Sequence, residues 1–221
     1  KVKIDTNKGA TNWSAPAFWT TGLFNEADWQ GQWIGLDKAA PGDSETQWSR
    51  LAARYLRKEF AVKKDVKRAT VHIAGMGLYE LFINGQRIGN QVLAPAPTDY
   101  RKTILYNTYD VTSLLQTENA IGVTLGNGRF YTMRQNYKPY KIPTFGYPKL
   151  RLNLIVEYAD GSKETIATNT SWKLTTEGPI RSNNEYDGEE YDARKELGDW
   201  TQTGYDDKGW MQAQRVSIPS G

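Results

Sequence analysis

The sequence predicts an all-β fold, an antiparallel β-sandwich, because apolar residues alternate in short runs, turn-forming pairs separate these runs, and helical periodicity is nearly missing. Within residues 67–74, Ala69, Val71 and Ile73 alternate with Arg68, Thr70 and His72. The same alternation of apolar and polar residues runs from 150 to 158, with Ile155 as the exception. Successive side chains of a strand point to opposite faces of the sheet. Each run is therefore expected to place one face in a core and the other toward solvent.

Two glycine-containing pairs predict hairpins between neighbouring runs. Asn84-Gly85 separates residues 78–83 from 86–88, and Asp160-Gly161 follows the 150–158 run. Both pairs suit the positive φ angles of tight hairpin turns. Further strands are predicted at 53–62, 103–109, 121–125, 163–167 and 171–175, with one short capped turn of helix at 110–115.

The composition narrows the function classes. The 221 residues suffice for one main domain, and no run approaches the ~18 apolar residues that span a bilayer, so no membrane partner is expected. The net charge is +3 with lysine and arginine scattered among acids, which gives no support to nucleic-acid binding. Cysteine is absent, so the chain has neither disulfides nor a thiolate metal cluster.

The polar, turn-rich stretch 39–45 predicts a boundary. Residues 1–45 are interpreted as the tail of a preceding module plus a linker, and residues 46–221 as the sandwich. Residues 198–210 carry two tryptophans with little alternation and are expected to pack on the sandwich as a loop.

No catalytic set can be assembled from the sequence. His72 is the one histidine, which excludes a histidine-rich metal site, and its place on the polar side of a strand predicts an exposed surface residue. The acidic clusters 187–192 and Asp206-Asp207 qualify as paired carboxylates by composition alone, and a solvated loop is the expected structure of the first. A small enzyme that uses residues 187–192 is a further possibility, which would require turnover of a substrate by this chain alone.

The stretch 129–147 interleaves aromatic rings with arginine, lysine and proline. Rings on such a loop can stack on a sugar while arginine and amide side chains bind its hydroxyls. Alternatively, the rings cover an edge of the sandwich or dock on a neighbouring domain. Both interpretations stay open at this point.

The order of motifs along the chain resembles the N-terminal region of bacterial α-L-rhamnosidases. A characteristic motif is Ile83-Asn84-Gly85-Gln86-Arg87-Ile88-Gly89. The resemblance covers residues 29–210, and its motifs lie at 56–60, 74–81, 83–89, 93–95, 98–100, 105–112, 119–123, 125–128, 158–162, 171–173 and 187–194.

The resemblance implies a jelly-roll sandwich of the galactose-binding type inside a glycoside hydrolase that removes terminal α-L-rhamnose from glycosides and polysaccharides. The family's catalytic acids lie in a helical (α/α)6 barrel outside this chain, so the expected partners are a rhamnose-containing carbohydrate and the remaining domains of the polypeptide. The resemblance also implies a periplasmic or extracellular location. Some related modules bind rhamnose with Ca²⁺, for which no ligand set can be assigned here.

The leading hypothesis is a non-catalytic domain for sugar recognition, and the alternative is a brace between domains that binds no sugar. Arg129 stands where the family often has tryptophan, so a bidentate hydrogen-bond donor replaces a stacking ring. The predicted sugar-binding residues are Asp99, Tyr100, Asn127, Arg129, Tyr131 and Tyr137.

Overall fold

The structure, a computed structural model, describes residues 1–17, 21–38, 51–131, 145–185 and 188–218. Over these residues it contains strands and three 3-10 turns, Glu26–Asp28, Thr112–Leu114 and Ala193–Lys195, but no α-helix, and none of its helical segments is long and apolar enough to span a membrane. The strands are β1 Asp5–Thr6, β2 Gly9–Ala10, β3 Ile34–Gly35, β4 Arg54–Ala61, β5 Val66–Met76, β6 Leu78–Ile83, β7 Gln86–Ile88, β8 Asn107–Asp110, β9 Glu118–Gly126, β10 Lys149–Tyr158, β11 Lys163–Ala167, β12 Lys173–Thr175, β13 Ile180–Asn184, β14 Gly188–Tyr191, β15 Met211–Gln212 and β16 Gln214–Arg215.

Two antiparallel sheets of six strands each face one another across the core, which confirms the predicted all-β sandwich. The first sheet has the order β16-β3-β10-β5-β8, with β11 also paired to β10, and the second has the order β15-β12-β4-β9-β6-β7. The described residues add two separate hairpins, β1–β2 and β13–β14. The core contains residues from both sheets, among them Val71, Ile73, Leu150, Leu152, Leu154 and Val156 from the first and Leu56, Leu81, Ile83, Ile121, Val123 and Leu125 from the second.

The alternation read from the sequence appears as alternating burial in the central pair of the first sheet. In the ladder between β5 and β10, Leu152 lies opposite Ile73 and Leu154 lies opposite Val71. All four side chains are fully buried between the sheets. Strands β6, β7 and β11 have the bounds that the sequence predicts.

The turn between β6 and β7 is the hairpin turn predicted from Asn84-Gly85. Asn84 has a φ of 49° and Gly85 a φ of 80°, as a primed two-residue turn requires. The Asn84 side chain also joins this turn to β9, because its Nδ2 donates to Asn119 Oδ1 at 2.9 Å and its Oδ1 accepts from the Ala120 amide at 2.8 Å.

Arg57 on β4 attaches the C-terminal loop to the second sheet. Only 1% of Arg57 is exposed. Its Nε donates to the carbonyl of Trp200 and its Nη2 to the carbonyl of Gln202, each at 2.9 Å. Its guanidinium also forms ion pairs with Asp207 and Glu59.

Trp200 completes this attachment by packing on the outer side of the second sheet. Its ring meets Tyr55 edge to face at 5.5 Å and Phe82 at 6.1 Å. The approach is so close that a Cβ on Gly122 would lie 2.9 Å from the indole. The prediction that residues 198–210 pack on the sandwich is confirmed.

Part of the stretch 1–45 lies within the sandwich. β3 pairs with both β10 and β16, and its Ile34 is fully buried. Just before β3, the Gly31 amide donates to Asn153 Oδ1 at 2.8 Å, and Asn153 Nδ2 donates to the Asp28 carbonyl at 3.1 Å. The sandwich therefore includes residues N-terminal to the predicted boundary at 45/46.

The expectation that His72 is an exposed surface residue is wrong, because residues 21–33 cover that side of the first sheet. His72 is 5% exposed and meets Trp29 and Tyr106 edge to face at 6.5 and 6.0 Å. Its Nδ1 lies 2.9 Å from Thr108 Oγ1. Burial, followed by the charge of Arg68, lowers the pKa of His72 and so favours the neutral imidazole.

Replacing Arg57 by alanine is expected to lower the free energy of unfolding by about 3 kcal/mol, because it leaves a partly buried carboxylate and two carbonyls without their donor. Urea denaturation measures this change. Lys208→Ala in the same loop is the control: the Lys208 side chain is 91% exposed, so a change within about 0.5 kcal/mol is expected. Equal stability of the two variants would contradict the assigned role of Arg57.

Two truncations test how much of the N-terminal stretch the sandwich needs. A chain of residues 21–221 is expected to keep the stability of the whole chain, since residues 1–17 are exposed throughout. A chain of residues 46–221 lacks the buried Ile34 and Leu36, and it is expected to lose about 3 kcal/mol or more. Identical urea midpoints for the two truncations would show that β3 is dispensable.

Candidate functional site

A groove of about 750 Å³ lies where one end of the second sheet meets the β13–β14 hairpin. Leu78 and Tyr79 at the start of β6 and Gly126 at the end of β9 line it. The loop after β7 and the hairpin provide its other walls. Two of the predicted sugar-binding residues, Tyr100 and Arg129, are part of the lining.

The hairpin is held at the end of β9 by a pair of asparagines. The Asn127 amide donates to Asn183 Oδ1 at 2.6 Å, and Asn127 Nδ2 donates to the Asn183 carbonyl at 2.8 Å. Both side-chain amides also donate to the carbonyl of Leu51, at 3.1 and 3.3 Å. With an exposed fraction of 2%, Asn127 supports the groove from beneath and does not belong to its lining.

Arg129 faces the groove together with Glu185 from the hairpin, and the two side chains form an ion pair. About a third of each side chain stays exposed, 37% for Arg129 and 31% for Glu185. The turn that precedes Arg129 depends on Gly128, whose φ is 49° and where a Cβ would lie 2.7 Å from Leu78. The pair presents donors and acceptors side by side, which suits the hydroxyls of a ligand.

Tyr100 belongs to a small aromatic cluster at the side of the groove. Its ring meets Phe130 at 5.1 Å and Phe145 at 5.3 Å, both edge to face, and Met76 belongs to the same cluster. Only 4% of Tyr100 is exposed, and burial raises the pKa of its hydroxyl. The described rings of the 129–147 stretch therefore pack against the sandwich, as the second interpretation of this stretch expects.

Two further predicted residues, Asp99 and Tyr131, lie elsewhere. Asp99 accepts hydrogen bonds from Arg101, and its pKa lies below the ordinary value: desolvation acts to raise it, but the hydrogen bonds and charges of Arg101 and Lys102 outweigh that effect. Tyr131 is 7% exposed and stacks on Tyr147 at 5.7 Å. Neither Asp99 nor Tyr131 lines the groove, and Tyr137 lies outside the described residues. Sugar binding by the six residues stays a prediction.

The structure adds groove residues that sequence reasoning missed. Glu80 on β6 lines the groove and accepts from Arg87 Nε at 3.0 Å. Val92 and Leu93 line it from the loop after β7 and are 79% and 71% exposed. A further exposed carboxylate, Glu189, lines it from β14. The signal that the sequence offers for this region is the apolar pair Val92-Leu93 in a turn-rich stretch that ends at Pro95.

Carboxylates outnumber cations among the residues that line the groove: Glu80, Glu185 and Glu189 are acidic, and Arg129 is basic. Among the described residues, no three histidine, cysteine, aspartate or glutamate side chains come together as a metal site, so the structure assigns no ligands to the Ca²⁺ that some related modules bind. Of the acidic cluster 187–192, Asp192 is held by Arg194, whose Nε and Nη2 each donate to it at 2.8 Å and lower its pKa to about 2.

Comparison with known proteins identifies relatives of the whole chain. A curated α-L-rhamnosidase of Formosa agariphila is 39% identical over 237 residues, which cover 98% of this chain and 25% of that protein. The solved α-L-rhamnosidase of Aspergillus terreus superposes with a TM-score of 0.83 at 36% identity, over 96% of this chain and 24% of that one. The solved Streptomyces avermitilis α-L-rhamnosidase, in complex with L-rhamnose, superposes with a TM-score of 0.71 at 39% identity, over 78% of this chain and 17% of that one.

The chain spans about a quarter of the length of the curated relatives it matches. A family model described as the α-L-rhamnosidase N-terminal domain matches residues 64–221, a range that contains most of both sheets. The resemblance seen in the sequence motifs is thereby confirmed, and the chain belongs to the α-L-rhamnosidase N-terminal domain family.

Proposed function

We propose that this chain is a non-catalytic region of an α-L-rhamnosidase and that its groove recognises the rhamnose-containing substrate. The observation that carries the proposal is the groove itself, in which the partly exposed pair of Arg129 and Glu185 lies beside apolar side chains. Small-molecule sites are typically concave, mostly apolar and fitted with a few convergent polar groups.

The chemistry of the groove suits a 6-deoxy sugar. Arg129 can donate to ring hydroxyls, and Glu185 and Glu189 can accept from them. Leu78, Val92 and Leu93 offer carbon surface for the methyl group and the C–H face of the sugar. The excess of carboxylates favours a neutral ligand over an anionic one. The proposed setting, by resemblance to the family, is periplasmic or extracellular.

A second candidate function is the brace between domains, and a specific observation favours it. Val92 and Leu93 are 79% and 71% exposed, and Leu93 holds a left-handed φ of 59°. Exposed apolar side chains that lie next to each other are typical of surfaces that another domain covers. In this alternative, the groove receives a side chain of a neighbouring domain instead of a sugar.

Calorimetric titration with L-rhamnose distinguishes the two functions. Saturable binding is expected for the unchanged chain, and Arg129→Gln is expected to weaken it roughly ten-fold or more, since a charged hydrogen bond contributes about 1.5–3 kcal/mol. Arg194→Gln is the matched control, because Arg194 is 89% exposed, pairs with Asp192 and lies outside the groove.

Absence of heat up to high millimolar L-rhamnose would reject sugar recognition by the groove and leave the brace. Binding that Arg129→Gln leaves unchanged would place the sugar elsewhere on the chain. Under the brace alternative, Leu93→Ser is expected to leave the isolated chain folded and to weaken the attachment of the remaining domains in the full-length protein.

A further inference from the structure

A second pocket, of about 440 Å³, lies beside the edge of the first sheet and shares no lining residue with the groove. It is bounded by the segment that leads into β3 and by the segment that follows β16. Two tryptophans, Trp29 and Trp33, and two arginines, Arg151 and Arg215, are among its lining residues.

Arg151 on β10 is fixed in place between the two indoles. Its guanidinium lies 5.0 Å from the ring centre of Trp29 and 6.0 Å from that of Trp33. Its Nε donates to the Gly31 carbonyl at 2.7 Å, so that the plane of the guanidinium is set by the protein. A group held in this way binds an anion without first losing its own freedom.

The anionic partner that Arg151 has within the chain is held loosely. Nη1 of Arg151 donates to Glu26 at 2.6 Å, but the Glu26 side chain is 82% exposed, whereas that of Arg151 is 11% exposed. Ion pairs with so exposed a partner contribute little to stability. A carboxylate on a ligand can therefore take the place of Glu26 at small cost.

Other donors around the pocket are free to serve a ligand. Arg215 is exposed and makes no ion pair with any residue in the described ranges. Gln30, Gln32 and Ser217 are also exposed, and their side chains form no hydrogen bond within the part of the chain that the structure describes. The lining thus combines Arg215, a cation that has no counterion among the described residues, with amide and hydroxyl groups and partly exposed indoles.

We propose that this pocket binds an acidic sugar unit, with its carboxylate at Arg151 and Arg215 and its hydroxyls at the glutamine side chains. Flat aromatic surface suits the C–H face of a pyranose, and amides suit its hydroxyls. The two arginines against the single exposed Glu26 give the pocket a positive balance, opposite to that of the groove. The pocket would let the domain hold a glycan that contains uronic acids alongside its neutral sugar.

The test is calorimetric titration of the whole chain with methyl β-D-glucuronoside and, as the matched neutral sugar, methyl β-D-glucoside. The glucuronoside is expected to bind at least ten-fold more tightly, with a quenching or shift of tryptophan fluorescence. Arg215→Gln is expected to weaken binding roughly ten-fold, as for loss of one charged hydrogen bond.

Glu26→Gln gives the more discriminating result. If the ligand carboxylate displaces Glu26, removing that charge is expected to tighten binding about two- to five-fold, an effect that a merely structural residue would not produce. Glu118→Gln, another exposed glutamate on β9, and Arg194→Gln are matched controls that should leave the affinity unchanged. Arg129→Gln in the groove should also leave it unchanged, which separates this site from the proposed rhamnose site.

Equal or undetectable binding of the two methyl glycosides overturns the proposal. So does weaker binding by Glu26→Gln, because the glutamate would then belong to the site as it stands. Titration with N-acetyl-glutamate provides the last arm: affinity equal to that of the glucuronoside would show a carboxylate site without sugar recognition and would also reject the proposal.

Discussion

The pairing of β5 with β10 is the interaction on which the other parts of the structure depend. Its ladder joins the first sheet from Val66 to Met76 on one strand and from Lys149 to Tyr158 on the other. The inward side chains of both strands supply eight of the 23 buried residues of the main core cluster. The outward side of β10 carries Arg151 and Asn153, which hold the segment that leads into β3, and the end of β5 passes through Gly77 into the second sheet beside the groove. Gly77 has a φ of 128° and would place a Cβ 2.3 Å from the Gly126 carbonyl, so the crossing between sheets requires glycine at this position.

Elements with strong alternation could be predicted from the sequence, because their burial is decided strand by strand. β6, β7 and β11 have the predicted bounds, and β10 begins one residue earlier than predicted. The short strands β3, β13 and β14 could not be predicted: with two to five residues each, they contain too few side chains for a period of two to be visible. Their positions follow from partners more than a hundred residues away for β3, and from the Asn127–Asn183 contact for the hairpin.

The candidate site could be predicted only in part, because the sequence shows residue types and loops but not which distant segments come together. Arg129 and Tyr100 are a polar and an aromatic residue in predicted loops, and both line the groove. Glu185 could not be predicted as a site residue, because it lies 56 positions from Arg129 in the sequence. The two side chains meet only because the hairpin folds back onto β9. The prediction that His72 is exposed was wrong for a related reason. Alternation shows which face of a strand is polar, but not which earlier or later segment covers that face.

Buried amide and guanidinium groups attach the loops and the hairpin of this domain to its sheets. The hydrogen bonds of Asn127 and Asn183 have a consequence for how the family can diversify. Three of these four hydrogen bonds, and the 3.0 Å bond between Ala53 and Ile180, end on backbone carbonyls, so the attachment of the hairpin depends little on which side chains stand at its tip. Positions such as Glu185 and Glu189 can therefore change in charge and size while the framework stays intact. The shape and charge of the groove are therefore separable from folding, and closely related domains can share one architecture yet differ in this surface.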